Sequence, residues 1–346
     1  MHQFRNDYNV LAHTDILKAL ERNADDQIGV YGLDVHSEAA EKRIKDIFGC
    51  PNASVFFLAG GTQTNLVLIS SVLKGYEAVI SLETGHINVH ETGAIEGSGH
   101  KIITVKGKDR KMYTSDIEEV LEKYSDEHMV KPRMVYISNS TEIGTIYSKK
   151  ELIDLHRTCK KNNLFFYLDG ARLASALTSK DNDTTPKDLG ELLDAFYIGG
   201  TKNGLLFGEA LVINDINIQK DFRYHIKNKG AMLAKGYAVG IQFEEAFRDN
   251  LYFRLGKSTN DVADYLKEEL RKIKVKTLYS PTNQIFAYFP KGKADKIIEE
   301  FGTELWSKEG NEMIIRFVVS FKTNKKDVDN LIKLVYQFLG RDQLNY

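Results

Sequence analysis

Four short segments of the chain carry residue types and spacings that suit chemistry on one ligand. In Gly199-Gly200-Thr201-Lys202-Asn203-Gly204 a lysine sits in a glycine-rich turn directly after the apolar run Ala195-Phe196-Tyr197-Ile198. Held in a cleft and partly desolvated, such an amine loses basicity and attacks aldehydes; in open solvent it is an ordinary loop lysine. In Asp169-Gly170-Ala171-Arg172 a carboxylate follows another apolar run. It could pair with a protonated heterocyclic nitrogen while Arg172 grips a substrate carboxylate, or the four residues could form only an Asp-Gly turn capped by arginine. Gly60-Gly61-Thr62-Gln63-Thr64-Asn65 precedes the apolar helical stretch at 66–69. Its glycines let backbone amides approach a phosphate at the positive end of a helix, though the same residues also read as a glycine turn with a threonine cap. In His86-Ile87-Asn88-Val89-His90-Glu91, helical spacing would put His86 and His90 on one face, as metal sites do. The His-Glu-x-x-His order is absent and His100 is only a distant third ligand, so His86 reads better as a ring stacked on an aromatic or as a proton carrier.

In chain order these segments supply an anion cradle, a ring stacker, a carboxylate with an arginine, and a reactive lysine. The one common ligand that uses all four is pyridoxal 5'-phosphate, with its phosphate, flat ring, pyridinium nitrogen and aldehyde. Other nucleotide-type readings fail. The glycine pair lacks the Gly-Lys-Ser/Thr of a Walker loop, and Gly97-Ser98-Gly99 lacks the third glycine of a dinucleotide fingerprint.

The elements that must position these residues are legible. Runs rich in aromatic and β-branched residues at 54–58, 78–82, 101–105, 134–138, 164–168 and 195–198 predict buried strands. Helical stretches lie between them. Ser37 precedes one, with Gly49 as its stop; Ser115 with Glu118 and Ser148 with Glu151 have capping-box spacing. Strands alternating with helices imply a mostly parallel sheet covered on both faces, with ligands bound beyond the carboxyl ends of the strands. Past about Gly240 the rhythm changes to long helices, short strands at 275–278, 284–288 and 313–318, and a closing helix at about 326–339. The expected organisation is an N-terminal arm at 1–14, a large α/β domain at 15–250 and a small α+β domain at 251–346.

Composition narrows the class further. The 346 residues carry 47 basic and 48 acidic side chains, a balance that argues against general nucleic-acid or anionic-membrane binding. The hydrophobic fraction of 42% is that of a globular protein, and no apolar run approaches spanning length. Two cysteines and a polar start predict a soluble, cytoplasmic protein without a disulfide framework.

On these motifs the sequence resembles the threonine aldolase/β-eliminating lyase family of fold-type I pyridoxal-phosphate enzymes. The resemblance runs from Phe4-Arg5-Asn6-Asp7 to the closing helix, and Tyr31-Gly32-Leu33-Asp34 matches an early Tyr-Gly motif less strictly. It implies that Lys202 bonds the cofactor aldehyde, Asp169 keeps the ring nitrogen protonated and His86 stacks on the ring. By the same resemblance Gly60, Gly61, Thr62 and Arg172 serve the cofactor, with Lys229 or Lys235 assisting at the phosphate. Asn6, Tyr31, Arg172 and Arg316 would meet the amino-acid substrate, and the protein would be a homodimer or homotetramer with sites at subunit interfaces.

Three departures bear on the reaction. The arginine motif reads Arg5-Asn6-Asp7 where the family usually has Arg-Ser-Asp, and the lysine turn is Gly-Gly-Thr-Lys rather than a Ser-Lys form. A histidine common in the turn after the 134–138 strand is replaced by Glu142. The leading expectation is cleavage of L-threonine or L-allo-threonine to glycine and an aldehyde, with His86 or Glu142 as base. The alternatives are β-elimination from another amino acid, a zinc hydrolase using His86, His90 and Glu91, and a non-catalytic vitamin B6 binder.

Overall fold

The computed structural model describes residues 2–340. Met1 and residues 341–346, the outer ends of the expected arm and small domain, lie outside the described residues. The strands β1 (Ser54–Leu58), β2 (Glu77–Leu82), β3 (Lys101–Val105), β4 (Lys131–Ser138), β5 (Phe165–Asp169), β6 (Ala195–Gly199) and β7 (Glu209–Ile213) form one sheet in the order β1-β7-β6-β5-β4-β2-β3. The pairs from β6 through β5, β4 and β2 to β3 are parallel, and β7 runs antiparallel to both β1 and β6.

Period-two alternation sorts the side chains of this sheet onto two cores. Val135, Ile137, Phe166 and Leu168 enter one; Met134, Tyr136, Tyr167 and Tyr197 enter the other. Asp169 therefore projects on the tyrosine face, two residues beyond Tyr167. A second sheet of β8 (Gln284–Pro290), β9 (Glu304–Glu309) and β10 (Glu312–Val318) is antiparallel in the order β8-β10-β9. It packs with the helices Leu251–Lys272, Lys291–Phe301 and Lys325–Leu339 around a third core. Phe4, fully buried, joins the N-terminal arm to that core.

Several local expectations need correcting. The helix Val35–Phe48 is capped by Asp34, which accepts from the His36 and Ser37 amides, so Ser37 lies inside its first turn. Asp34 wins because its carboxylate reaches both orphan amides and also accepts from the Ser37 hydroxyl. Tyr113, with Asp116 reaching back to its amide, starts the helix Thr114–Lys123, ahead of the expected Ser115–Glu118 box. Ser148 and Glu151 do form a reciprocal box, and Gly49 closes its helix in the left-handed region at φ 65°. The expected strand at 275–278 makes only an isolated bridge, Thr277 to Ala287. Strands β7 and β9 were not foreseen.

Candidate active site

Every segment singled out by its chemistry leaves the carboxyl end of a strand in the large sheet. Gly60 follows β1, His86 follows β2, Glu142 follows β4, Arg172 follows β5 and Lys202 follows β6. This is where an open α/β sheet builds its ligand crevice.

Asp169, 3% exposed, is surrounded by donors. Tyr136 donates to its Oδ2 at 2.7 Å, Asn65 Nδ2 lies 3.2 Å from the same oxygen, and the Ala171 amide donates to Oδ1 at 3.0 Å. Burial alone would raise its pKa. The nearby His86 and the hydrogen bonds from Tyr197, Tyr136 and Ala171 instead hold it below the ordinary carboxylate value, so it is an anion in a dry setting. Burial and this anion together keep Tyr136, Tyr167 and Tyr197 protonated as donors. The helix Gly61–Val72 begins against this group. A Cβ on Gly61 would stand 3.0 Å from the Tyr197 hydroxyl, so glycine gives that hydroxyl its room beside the helix start. The start is capped by Gly60 with no side chain serving its amides.

His86 opens a single helical turn, His86–Val89. Its Nδ1 is 2.8 Å from Glu91 Oε1, which also accepts from Asn65 Nδ2 at 2.7 Å. The Asn65 amide is oriented by Tyr167, whose hydroxyl donates to Asn65 Oδ1 at 2.7 Å. With the carboxylate on Nδ1, the proton of a neutral His86 sits on that nitrogen and Nε2 is left as acceptor. Sequence reading saw Glu91 only as a metal ligand; its bond to His86, five residues away, needs the chain to turn between them. The zinc reading has no geometry behind it. Among the described residues no group of three or more His, Cys, Asp or Glu is arranged to hold a metal.

Glu142 Oε1 accepts from the Ser138 hydroxyl at 2.8 Å and from the His86 amide at 3.0 Å. Burial, resisted by the Ser138 bond, pushes its pKa above the ordinary glutamate value. Lys202 lies over the Tyr8 ring, with Nζ 5.8 Å from its centroid. Burial and then the Arg172 guanidinium hold its amine below the ordinary lysine value, against the pull of Asp7, Asp169 and Glu209. Beneath the turn, Glu209 accepts from the Gly200 amide at 2.8 Å, and burial pushes its carboxyl up to about 8. Asn203 pins the turn by donating to the Gly199 and Ala171 carbonyls.

The two arginines are held differently. Arg172 makes a bidentate pair with buried Asp7, at 2.7 and 3.0 Å, and Asn283 adds a bond to Asp7 at 3.0 Å. Arg316, on β10, pairs with Glu304 directly across on β9, and its buried Nε has no hydrogen-bond partner. Its guanidinium also faces the Trp306 ring at 5.3 Å. A cavity of about 290 Å³ gathers Tyr8, His86, Glu142, Arg172, Lys202 and Arg316 on its walls. His90, Gln284, Glu304 and Trp306 complete the lining.

Other expected residues lie elsewhere. Tyr31 borders a different surface depression, with Arg223 donating to its carbonyl and Lys227 above its ring. Exposed Lys235 is next to Ala234, whose carbonyl accepts from the Tyr31 amide. Asn6 turns inward on its own arm, accepting from the Tyr8 amide at 3.1 Å. The residues missed by sequence reading, Glu209, Glu304 and Trp306, sit in elements it did not foresee.

Known proteins resemble this chain in sequence and in fold. The family model for beta-eliminating lyases matches residues 14–291. A low specificity L-threonine aldolase from a Pseudomonas species is 32% identical over 240 residues, covering 68% of each chain. Another, from Pseudomonas aeruginosa, is 27% identical over 314 residues, 90% of each. A solved structure of Leishmania major threonine aldolase is 41% identical and superposes with a TM-score of 0.96, covering 98% of this chain and 100% of that one. The mostly parallel seven-stranded sheet with its small C-terminal antiparallel sheet is thus the expected fold-type I architecture. The chain belongs to the beta-eliminating lyase family.

Proposed function

We propose that the protein is a pyridoxal-phosphate-dependent lyase that cleaves a β-hydroxy-α-amino acid, L-threonine or L-allo-threonine, to glycine and an aldehyde. The observation that carries this reading is the convergence of Lys202, His86, Glu142 and Arg316 on one cavity, with anionic Asp169 within electrostatic reach of both Lys202 and His86. The relatives named threonine aldolase support it.

The residues fit the cofactor. A dry carboxylate suits a protonated ring nitrogen, an amine of lowered basicity suits an aldehyde, and a helix start whose amides no side chain caps suits a phosphate. A Cβ built on Gly60 meets nothing within 4 Å, so there is open space beside that helix start. Asp169 would hold the ring nitrogen, Lys202 the aldehyde carbon, Gly60, Gly61 and Thr62 the phosphate, and His86 a face of the ring. When bound, pyridoxal phosphate supplies an electron sink for the pair left at the α-carbon when a bond there breaks.

The protein's own groups do the rest. Arg316 fixes the substrate carboxylate. Glu142, made more basic by burial, takes the β-hydroxyl proton as the Cα–Cβ bond opens. Glu91 holds His86 in one tautomer, and Glu209 braces the turn that carries Lys202. Purified Lys202→Ala should lose the cofactor's visible absorbance and the release of acetaldehyde from threonine; unchanged activity would end the proposal. A second reading, β-elimination, draws on the same Glu142, which could instead protonate a leaving group. Measuring glycine against ammonia separates the two.

The assembly is proposed as a homodimer or homotetramer. Val30, Leu33, Val35 and Tyr224 are exposed apolar residues around Tyr31, a face suited to a second copy. Tyr31 and Lys235, which lie there, would then serve a neighbouring copy's site. No helix among the described residues is long and apolar enough to cross a membrane. Cys50 and Cys159 are buried free thiols, which supports a reducing, cytoplasmic setting.

A further inference from the structure

Arg316 and Glu304 are cross-strand partners on β10 and β9, so their side chains share one face of the small sheet. The register slips between Ile314 and Ile315, a bulge that leaves Trp306 between paired neighbours; it packs edge-on against Phe286 and under the Arg316 guanidinium. Glu304, Trp306 and Arg316 all line the Lys202 cavity. Glu304 is shared: its Oε1 also lies 3.5 Å from Nε of Arg5, whose side chain is exposed. Arg172, the other arginine of the cavity, has two nitrogens committed to Asp7 in a pair whose opening would strand a buried charge. Arg316 thus carries the cation that can be released, and its present partner has a second cation beside it.

We infer that Glu304 stands in for the substrate carboxylate, occupying Arg316 until an amino acid binds and moving onto Arg5 when it does. This rests on the reading of the cavity as an amino-acid site. No bond is made or broken; one carboxylate replaces another on the same guanidinium, and Glu304 keeps a cationic partner throughout. The displacement is asked only of a ligand that brings a carboxylate.

The test is a titration of the cofactor-loaded enzyme with glycine, read through tryptophan fluorescence, because Trp306 is the single tryptophan of the chain. Glu304→Gln should bind glycine about twofold to fivefold more tightly, the scale expected for releasing a partly exposed ion pair. Arg5→Gln should weaken glycine binding in the otherwise natural chain and have no effect in the Glu304→Gln background, a coupling that a double-mutant cycle isolates. Glycinamide, lacking the carboxylate, should bind alike to the natural chain and Glu304→Gln. If Glu304 merely scaffolds Arg316, Glu304→Gln would weaken glycine binding, and that outcome, or no change, overturns the inference. Should Glu304→Gln fail to fold, loss of the Arg5→Gln effect overturns it by itself. Absence of any response of the natural enzyme to glycine would overturn both this inference and the proposed function, whereas a natural response with no coupling overturns the inference alone.

Discussion

Replacing Asp7 by Asn tests how the N-terminal arm is tied to the site. The carboxylate, 1% exposed, accepts two bonds from Arg172 at 2.7 and 3.0 Å and one from Asn283 at 3.0 Å. Asparagine keeps the shape, removes the charge and turns an N–H toward a guanidinium that can only donate. Breaking a buried ion pair from one side costs about 3–5 kcal/mol, so Asp7→Asn should lose about that much stability in urea denaturation at pH 7. The pH dependence has a definite sign. Burial works to raise the Asp7 pKa, but Arg172, Lys202 and the hydrogen bonds leave it lowered on balance. A carboxylate with a lowered folded-state pKa adds stability above its unfolded value of about 3.9, and that contribution fades as pH falls toward the folded value. The gap between natural chain and variant should be flat from pH 7 to about 5 and shrink below about 4. A variant within about 1 kcal/mol of the natural chain at pH 7 would refute the account of Arg172 as a charge held by the arm.

Glu142→Gln should retain the cofactor's absorbance while kcat for threonine falls by about 10²–10⁴, the usual range for losing a proton-transfer group. Because the carboxyl is needed ionised, activity of the natural enzyme should fall as pH drops through a pKa above the ordinary glutamate value, and this acid limb should vanish in the variant. Glu91→Gln keeps a side-chain oxygen beside Asn65 and His86 but frees the imidazole to change tautomer, and kcat should drop about tenfold to hundredfold, the toll of removing groups that orient a histidine. Gly144→Ala, at φ 77° and with its Cβ only 2.1 Å from Ser280 Oγ, should destabilise the chain by about 1–3 kcal/mol in denaturant titration and loosen the Glu142 turn.

The parallel part of the fold was legible because its strands are buried on both faces and so read as unbroken apolar runs, as in Met134-Val135-Tyr136-Ile137. The antiparallel β7 escaped notice because Glu209 interrupts its start and nothing local marks an insertion between β1 and β6. Strand β9, Glu-Leu-Trp-Ser-Lys-Glu, is an edge strand with charged ends, a pattern that resembles a loop. The same distinction holds at the site. Lys202, Asp169 and His86 announced themselves by residue type beside glycines at strand ends. The Asp7–Arg172 pair spans 165 positions and the Tyr136–Asp169 bond 33, so no local spacing could reveal either. Ser37 misled as a cap because the helix starts two residues before it, where Asp34 accepts from the His36 and Ser37 amides.

The phenols around Asp169 have a consequence for the order of events. Water was stripped from that anion when the chain folded, and Tyr136 and Tyr197 replaced it. The pit is therefore polarised before any ligand arrives, and on the proposed reading an incoming heterocycle would be chosen for the proton it can already carry. An analogue whose ring atom at that place is carbon would leave the carboxylate facing an apolar edge.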